Sequence, residues 1–320
     1  MIDAFKRFTP AAAIYSGVSA LARRLTAQWP RILMYHNFCG ETSAPADRTS
    51  ARMFRQQMTH LRRYYHPTRL RDLGRQLAGG VVPPAGSVAI TVDDGHVNFL
   101  HFAVPVLREL GIPATFYVLS ELSNSSDWLW TDKWEYVCEH AGGSTERGLT
   151  LDELRHMPAA DRERCLDDFA RRMGVRIPAR PPDEYALVSW DDLKQLAGSE
   201  LVDIGSHSRT HRILSDANHD DSWDEIDGSR RELERRLGVE VASFCFPNGL
   251  PVDYRTEQLE MVARAGYVCA TASHFGYVTR ASNRFALPRV GGVFGDMPRF
   301  RHGIDGLEYL RRRVRRERPS

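Results

Sequence analysis

The most informative stretch of the chain is Ser87-Val88-Ala89-Ile90-Thr91-Val92-Asp93-Asp94-Gly95. A short apolar run that ends at a turn signal is typical of a strand buried on both faces, as in a parallel sheet. The run ends in two adjacent carboxylates. Charges beside a buried interior are costly unless a cation or another partner compensates them. The stretch therefore predicts a buried parallel strand with a charged site at its C-terminal end.

Six further apolar runs predict strands of the same kind. They are Ile32–His36, Ala114–Val118, Leu201–Ser206, Ala242–Pro247, Tyr267–Thr271 and Phe285–Val290. Helix signals follow several of them, such as Ser189 three residues before Asp192 at a helix start, and Gly238 as a helix terminator. Alternating strands and helices imply a parallel sheet, and about seven such units imply a barrel. The predicted fold class is therefore α/β, a distorted, incomplete or nearly closed (β/α) barrel of about seven strands.

The pattern also divides the chain into regions. Residues 31–300 are predicted to form one barrel domain, because barrels reach this size as a single unit. Residues from about 121 to 188 are long, charged and helical in pattern, which predicts a helical insertion between the third and fourth strands. Residues 1–30 are predicted to form a peripheral helical segment, and residues 301–320 a basic tail.

The charge distribution argues against a nucleic-acid partner and leaves contact with a membrane open. The 320 residues include 43 basic and 41 acidic side chains, a net charge of +2, so no global field attracts nucleic acid. Residues 311–316 nevertheless hold five arginines. Residues 1–30 are too polar to span a bilayer and lack a clean cleavage site, which disfavours a signal peptide. For residues 1–30, the open interpretations are a peripheral helix that packs on the barrel and one that contacts a membrane. For the arginine-rich tail, they are a solvated terminus and contact with an anionic membrane surface.

The cysteines indicate the compartment. There are five, an odd number, without short paired spacing. This argues against a disulfide framework and against a cysteine zinc site. We therefore expect a cytoplasmic protein, peripheral to the inner membrane if its ends bind lipid, rather than a secreted or periplasmic one.

Polar residues collect at the predicted C-terminal ends of the strands. They are His36, the pair Asp93-Asp94, the segment His207–His211, the segment Pro247-Asn248, and Arg289. In a barrel of this kind, the strand ends meet at one mouth, where active sites are built. We therefore expect these residues to form one polar site, although they are far apart in the sequence.

Part of this set has the composition of a metal site. His207 and His211 have the i, i+4 spacing that places two imidazoles on one face of a helical turn. Two imidazoles and one carboxylate, with positions open for water, form a recurring catalytic arrangement for zinc and related metals. We therefore expect one divalent ion, zinc before other metals, with an aspartate left over as a base. The competing interpretation is a simple turn at Asp93–Gly95 and histidines on the surface.

Two motifs of the chain resemble those of the polysaccharide deacetylase family, the carbohydrate esterases that include chitin, peptidoglycan and poly-N-acetylglucosamine deacetylases. The segment Thr91–Gly95 is similar to Thr-Phe-Asp-Asp-Gly, and His207–His211 matches His-Ser/Thr-x-x-His. The segment Leu33–His36 resembles the opening strand of bacterial members that act on exported or lipid-linked polysaccharides. The resemblance covers about Arg31 to Gly292.

The resemblance implies site roles and a substrate. Asp93 is the implied catalytic base, and Asp94, His207 and His211 are the implied metal ligands. The implied reaction is metal-assisted hydrolysis of an N-acetylated glycan, which releases acetate and leaves a free amino sugar.

The fifth strand departs from the family pattern. Where the family often has Arg-x-Pro-Tyr, this chain has Cys245-Phe246-Pro247-Asn248, so the arginine that usually orients the base is missing. We predict that Arg289, at the end of the seventh strand, takes its place by hydrogen bonding to Asp93. Pro247 and Asn248 are the predicted substrate-binding residues.

The chain also differs from the family pattern at the residue that usually serves as the general acid. The late Leu-x-x-His motif is absent, and Leu287–Val290 occupies its place. We predict that His36 is the acid, on the side of the metal away from Asp93, because the first strand neighbours the seventh in a nearly closed barrel. His274, expected in the loop after the sixth strand, is the rival. For each of them, a structural histidine is the alternative.

The leading functional hypothesis is removal of the N-acetyl group from an N-acetylated amino sugar in a poly- or oligosaccharide, during surface glycan or exopolysaccharide synthesis. Two alternatives stay open. One is a carbohydrate-binding barrel without turnover, which the missing acid and arginine motifs favour. The other is deacylation or deformylation of a lipid-linked amino sugar.

Overall fold

The computed structural model describes most of the chain. The described residues are 17–40, 48–121, 128–141, 148–155, 157–291 and 295–314. Parts of the predicted N-terminal segment, insertion and tail therefore lie outside the described residues, namely 1–16, 122–127, 142–147, 156 and 315–320.

The strands of the described residues form one large and one small sheet. They are β1 (Arg31–Tyr35), β2 (Asn37–Cys39), β3 (Arg48–Ser50), β4 (His66–Pro67), β5 (Ser87–Val92), β6 (Ala114–Val118), β7 (Val202–Ser206), β8 (Ser243–Cys245), β9 (Cys269–Phe275) and β10 (Leu287–Arg289). The large sheet runs β1-β5-β6-β7-β8-β9-β10, and all of its pairs are parallel. β4 pairs with β5 beside this path, and β2 pairs with β3 in the small sheet.

The large sheet curves back on itself. The Met34 N–H donates to the Val290 carbonyl at 3.1 Å, and the Val290 N–H donates to the Ile32 carbonyl at 2.7 Å. These bonds join the two outer strands, β1 and β10, in a short parallel bridge. The protein is therefore a nearly closed parallel barrel of seven strands, which confirms the fold class.

Helices surround the barrel. They are α1 (Val18–Leu25), α2 (Ala51–Tyr64), α3 (Leu70–Ala78), α4 (Val104–Leu110), α5 (Trp130–His140), α6 (Leu151–Arg155), α7 (Ala159–Arg172), α8 (Trp190–Ala197), α9 (His219–Trp223), α10 (Ser229–Leu237), α11 (Thr256–Arg264), α12 (Met297–Ile304) and α13 (Leu307–Val314). Ser189 and Asp192 cap α8 reciprocally, and Gly238 ends α10 in the left-handed region, as the sequence predicts.

Apolar side chains of the strands and of α3 close the barrel at the N-terminal ends of its strands. A buried cluster inside the barrel includes Ile32, Ala89 and Leu287 from three strands, and it extends to Leu70 and Leu73 of α3. These residues bring α3 against the barrel interior. β4 pairs with Ser87 and Val88 at the start of β5, and Gly74 of α3 lies against Cys269 at the start of β9, so α3 lies at the N-terminal ends of the strands. The opposite end, where the strands finish, is thereby left for a site.

The described part of the insertion is helical. Helices α5, α6 and α7 share small apolar clusters, one around Trp130, Leu154 and Leu166 and one around Val137 and Phe169. A buried contact ties this unit to the barrel: Asp132 on α5 lies 2.8 Å from the His96 ring, next to β5.

The chain ends are helical where they are described. Helix α1 packs against α13, and the segment up to Val314 is helical. Among the described residues, no helix is both long enough and apolar enough to cross a membrane.

Candidate active site

A cavity of about 280 Å³ lies at the C-terminal ends of the strands. Its walls come from β1, β5, β7, β8, β9 and the insertion. The lining residues are His36, Asn37, Asp93, Asp94, Thr131, Asp132, Glu135, His207, His211, Phe246, Asn248 and Ser273.

Three candidate metal ligands meet in this cavity. Asp94 Oδ1 lies 3.1 Å from His207 Nε2 and 3.4 Å from His211 Nε2. One donor atom from each of the three side chains lies within 4.8 Å of the others. The segment from His207 to His211 is not a helical turn, contrary to the expected i, i+4 arrangement. The rings converge because Ser208 and His211 adopt left-handed backbone conformations, with φ of 69° and 61°.

Backbone strain concentrates at the same place. Among the described residues, the non-glycine residues with positive φ are Asp94, Ser208, His211 and Asn248. All four lie in or beside the cavity. Such conformations cost free energy and persist where the surrounding structure enforces them, typically at functional sites.

The donor set fits a cation. His207 Nδ1 donates to the Cys245 carbonyl at 2.9 Å, so a neutral His207 presents a lone pair at Nε2. That lone pair faces a carboxylate oxygen of Asp94, and His211 Nε2 faces the same oxygen. Burial raises the pKa of Asp94, but when both rings carry a proton at Nε2, their hydrogen bonds to Asp94 hold that pKa well below its ordinary value. A divalent cation between the three groups would take the place of these protons and offset the charge of Asp94.

Asp93 is held by an arginine at both oxygens. Arg289 Nη1 lies 2.7 Å from Asp93 Oδ1, and Arg289 Nη2 lies 2.7 Å from Asp93 Oδ2. Both side chains are almost completely buried. Burial raises the pKa of Asp93, but the charge and hydrogen bonds of Arg289, together with the nearby His36 and His207, outweigh it and leave that pKa below its ordinary value. Asp93 is therefore ionised, and Arg289 lies where the missing strand-five arginine was expected to act.

Cys245 lies beside this ion pair. Its Sγ is 3.5 Å from Asp93 Oδ2 and 3.3 Å from Arg289 Nη2. Asp93, His207 and Cys245 are also close enough to share a metal ion. The guanidinium of Arg289 already contacts both Asp93 and Cys245, and its charge would repel a cation there. The set Asp94, His207 and His211 is therefore the better metal site.

His36 lines the cavity and is 43% exposed. The expectation that it lies on the side away from Asp93 is wrong, because its Nε2 is 3.8 Å from Asp93 Oδ2. The two residues are neighbours because β1 and β5 are paired, and the Asp93 N–H donates to the Tyr35 carbonyl. His274 lies in β9 and not in a loop, and it is not among the cavity-lining residues; Ser273 faces the cavity from that strand.

The two predicted substrate-binding residues differ in position. Asn248 lines the cavity, and its Nδ2 is buried without a hydrogen-bond partner. Pro247 is buried and is not among the residues that line the cavity, so its role in substrate binding stays a prediction. The Gly249 N–H donates to the Pro247 carbonyl, so Asn248 lies at the centre of a tight turn, with a φ of 56°.

Sequence reasoning missed half of the cavity wall. Asn37 directly follows His36 and could have been included on that ground. Phe246 and Ser273 occupy the strands β8 and β9 or their ends, where alternation alone does not select the inward face. Thr131, Asp132 and Glu135 come from α5, and no local signal shows that this helix folds back over the barrel mouth.

Several solved structures have a similar fold. Streptococcus pyogenes deacetylase PplD in complex with acetate has a TM-score of 0.60 at 18% identity, over 85% of this chain and 96% of that one. IcaB from Ammonifex degensii has a TM-score of 0.60 at 17% identity, over 87% and 97% of the two chains. The BpsB deacetylase domain from Bordetella bronchiseptica has a TM-score of 0.54 at 16% identity, over 83% and 96%. At these identities, the similarity shows a shared fold.

In sequence, the chain matches one protein-family model, but it matches no curated protein significantly. The sequence model of the polysaccharide deacetylase family matches residues 80–270, which include Asp93, Asp94, His207 and His211. Because the match covers more than half of the chain, the protein belongs to the polysaccharide deacetylase family.

Proposed function

We propose that the protein is a metal-dependent hydrolase that removes the N-acetyl group from an amino sugar in a poly- or oligosaccharide. The observation that supports this most is the convergence of Asp93, Asp94, His207 and His211 on one cavity, in a chain of a deacetylase family. Amide hydrolysis requires a base, a centre that stabilises developing negative charge, and a proton donor for the leaving nitrogen. The cavity offers a candidate for each.

Asp94, His207 and His211 would hold the metal ion. Imidazole and carboxylate donors suit zinc, which we propose before other divalent ions. When bound, such an ion acts as a Lewis acid on a carbonyl oxygen and lowers the pKa of water that it coordinates. The His207–Cys245 hydrogen bond would keep the ring of His207 in the required orientation.

The remaining steps belong to the protein's own groups. Asp93 accepts a proton from the attacking water, and Arg289 holds both carboxylate oxygens in place. His36 donates a proton from Nε2 to the leaving nitrogen, so that the C–N bond breaks to give acetate and a free amine. Because His36 Nε2 and Asp93 Oδ2 are 3.8 Å apart, base and acid act from adjacent strands on one side of the cavity.

The biological setting is also a proposal. An N-acetylated glycan is the substrate that the family implies, and we place the reaction in surface glycan or exopolysaccharide synthesis. The resemblance of Leu33–His36 to bacterial members that act on exported polysaccharides supports this setting. We propose a cytoplasmic location with peripheral contact to the inner membrane, which the five free cysteines support.

Acetate release from N-acetylglucosamine oligomers tests this proposal. We expect the purified protein to contain zinc, to lose acetate release on chelation and to regain it when zinc is added. Asp94→Ala, His207→Ala and His211→Ala should lower metal content and turnover together. His219→Ala, which changes an exposed histidine outside the cavity, should leave both unchanged.

Three other results would change the conclusion. Release that continues unchanged after chelation would exclude metal dependence. Oligomer binding without any acetate release, by protein that contains its metal, would favour the carbohydrate-binding barrel. Formate release from an N-formylated amino sugar, without acetate release from the oligomers, would favour the deformylase.

A further inference from the structure

The exposed apolar side chains concentrate at the end of the barrel opposite the cavity. Among the described residues, seven large hydrophobic side chains are exposed, and five of them lie on elements that lead into the N-terminal ends of β1, β4 and β5. These five are Leu21 (58%), Leu25 (57%), Tyr64 (41%), Val81 (56%) and Val82 (63%). Such clustering is unusual for a surface without a binding role.

The elements that carry these side chains form one continuous surface. The Arg23 guanidinium of α1 lies 4.2 Å from the ring centroid of Tyr64, at the end of α2. The Gly86 N–H donates to the Ala27 carbonyl at 2.7 Å, which joins the loop 79–86 to the end of α1. The His66 N–H donates to the Gly86 carbonyl at 2.9 Å, which joins the same loop to the end of α2. We call this surface, formed by α1, Arg62–Tyr64 and the loop 79–86, the basal face.

The basal face is cationic. The sequence contains no Asp or Glu in residues 17–30, 51–71 or 73–92. Arg24, Arg62 and Arg63 are exposed on this face, and none of them forms an ion pair with a carboxylate among the described residues. Arg23 does pair with a carboxylate, the buried Asp305. The positive charge of the other three arginines therefore remains available to an external anion.

Apolar side chains interleaved with unpaired arginines match the chemistry of one partner. At an anionic bilayer, leucine and valine side chains enter the boundary between headgroups and acyl chains, while arginines contact lipid phosphates. We propose that the basal face binds the surface of an anionic lipid bilayer. This binding is separate from deacetylation, and it gives the proposed membrane contact a defined surface.

The orientation of the barrel gives this binding a consequence. The basal face lies at the N-terminal ends of the strands, and the cavity lies at their C-terminal ends. A protein that rests on lipid through the basal face therefore opens its cavity away from the bilayer. Glycan chains in the aqueous phase next to the membrane then reach the cavity without crossing the lipid surface.

Vesicle sedimentation with the full-length protein tests the proposal. The probes are phosphatidylcholine vesicles with and without phosphatidylglycerol. We expect binding to the anionic vesicles and weaker binding as salt increases, because exposed charges are screened. Arg24→Glu with Arg63→Glu should weaken binding by about tenfold or more, and Leu21→Ser with Leu25→Ser should weaken it by about tenfold.

Matched variants separate the basal face from total charge and total hydrophobicity. Arg164→Glu with Arg171→Glu changes the net charge equally at exposed positions on α7, and Val252→Ser removes an exposed apolar side chain elsewhere. These controls should bind vesicles like the wild type. All variants should release acetate from soluble oligomers at the wild-type rate, so a failure of deacetylation remains distinguishable from a failure of lipid binding.

Three outcomes would overturn the proposal. One is equal binding to neutral and anionic vesicles, or no binding to either. Another is an equal loss in the α7 control pair, which would show that only net charge matters. The third is wild-type binding by the basal-face variants with unchanged thermal unfolding, which would assign the contact to another part of the chain.

Discussion

At the scale of single residues, the carboxylate of Asp93 is fixed by two bonds to Arg289 and faces the cavity. Asp93→Asn keeps the shape of the side chain but removes its ability to accept a proton. We expect turnover to fall by about 10²–10⁴-fold, the usual contribution of a general base. Metal content should stay at the wild-type level, because Asp93 is not among the three proposed ligands.

Kinetics of acetate release and elemental analysis of the same preparation measure both quantities. Asp220→Asn, a fully exposed aspartate on α9, is the control and should change neither. An Asp93→Asn protein with near wild-type turnover would move the base to another residue.

Arg289 is predicted to matter for stability as well as for catalysis. Its guanidinium is completely buried and also donates to the Ala272 carbonyl and to Thr91. Arg289→Met leaves Asp93 buried without its main partner, which we expect to cost about 3–5 kcal/mol of unfolding free energy.

A double-mutant cycle, measured by urea unfolding, tests whether Asp93 and Arg289 stabilise the fold through their interaction with each other. Asp93→Asn in the Arg289→Met background should cost much less than in the wild type, because the buried charge has already lost its partner. Additive losses would mean that the two residues act on stability independently.

His36 is predicted to act as a proton donor to the leaving group. His36→Ala should then lower kcat for N-acetylglucosamine oligomers by about 10²–10⁴-fold. It should have little effect on p-nitrophenyl acetate, whose leaving phenolate needs no proton. A structural role would lower both rates together.

The rival histidine provides the control. His274→Ala should leave both substrates at the wild-type rate, because Ser273, and not His274, lines the cavity. If His274→Ala alone shows the selective loss on the oligomers, the role of acid passes to His274.

The sequence predicted residues at the site best where a motif fixes neighbours along the chain. Asp94 follows Asp93 directly, and both reach the cavity. Arg289 could be predicted because it ends the strand that closes the barrel onto β1. The side of the cavity that His36 occupies could not be predicted, because it depends on how β1 pairs with β5. The turn at Asn248, with its left-handed backbone, could not be predicted either, because no local signal in the sequence marks it.

At the scale of secondary-structure elements, α5 contributes to the cavity from outside the barrel. Asp132 is buried on this helix, lies 2.8 Å from the His96 ring and lines the cavity with Glu135. We predict that Asp132 binds sugar hydroxyls. Asp132→Ala should raise KM by about tenfold with little change in kcat, because it removes binding that substrate and transition state share.

The control variant changes another residue of the helical insertion. Glu163→Ala removes an exposed carboxylate of α7 that pairs with Lys133, and it should leave KM unchanged. A thermal unfolding scan separates binding from folding, since Asp132→Ala also removes the partner of a buried histidine. A fall in kcat with unchanged KM would contradict a substrate-binding role.

Among the secondary-structure elements too, some could be predicted from the sequence and others could not. The seven barrel strands were predictable because each contains or adjoins a short apolar segment, which is typical of buried parallel strands. Strands β2, β3 and β4 are two or three residues long and leave no such pattern. Helix α5 contacts the end of β5 through Asp132 and His96, and neither residue carries a local sequence signal for this contact.

At the scale of the whole molecule, Asp305 joins the two chain ends to the barrel. Its carboxylate accepts hydrogen bonds from Ser19 of α1 at 2.6 Å and from Tyr65 at 2.7 Å. It also lies 3.1 Å from His60 Nε2 on α2 and 3.3 Å from Arg23 Nη1 on α1. One buried carboxylate therefore holds together α1, α2 and the turn between α12 and α13.

This arrangement predicts how stability depends on pH. Burial opposes the charge, but hydrogen bonds from His60, Ser19 and Tyr65 hold the pKa of Asp305 well below its ordinary value. A carboxyl group with a lowered pKa stabilises the fold at pH values above its unfolded pKa of about 4, and the contribution is lost as the pH falls further. Asp305→Asn, which has no charge at any pH, should therefore unfold about 2–4 kcal/mol more easily at neutral pH.

Urea unfolding of both proteins between neutral and acidic pH measures this difference. It should be largest at neutral pH and should shrink steadily below about pH 4, where the wild-type carboxylate begins to lose its advantage. Asp93 and Asp94 are present in both proteins, so their own titration cancels in the comparison. Asp220→Asn, at a fully exposed position, should match the wild type throughout. A difference that stays constant over the whole range would show that Asp305 acts through packing and not through its charge.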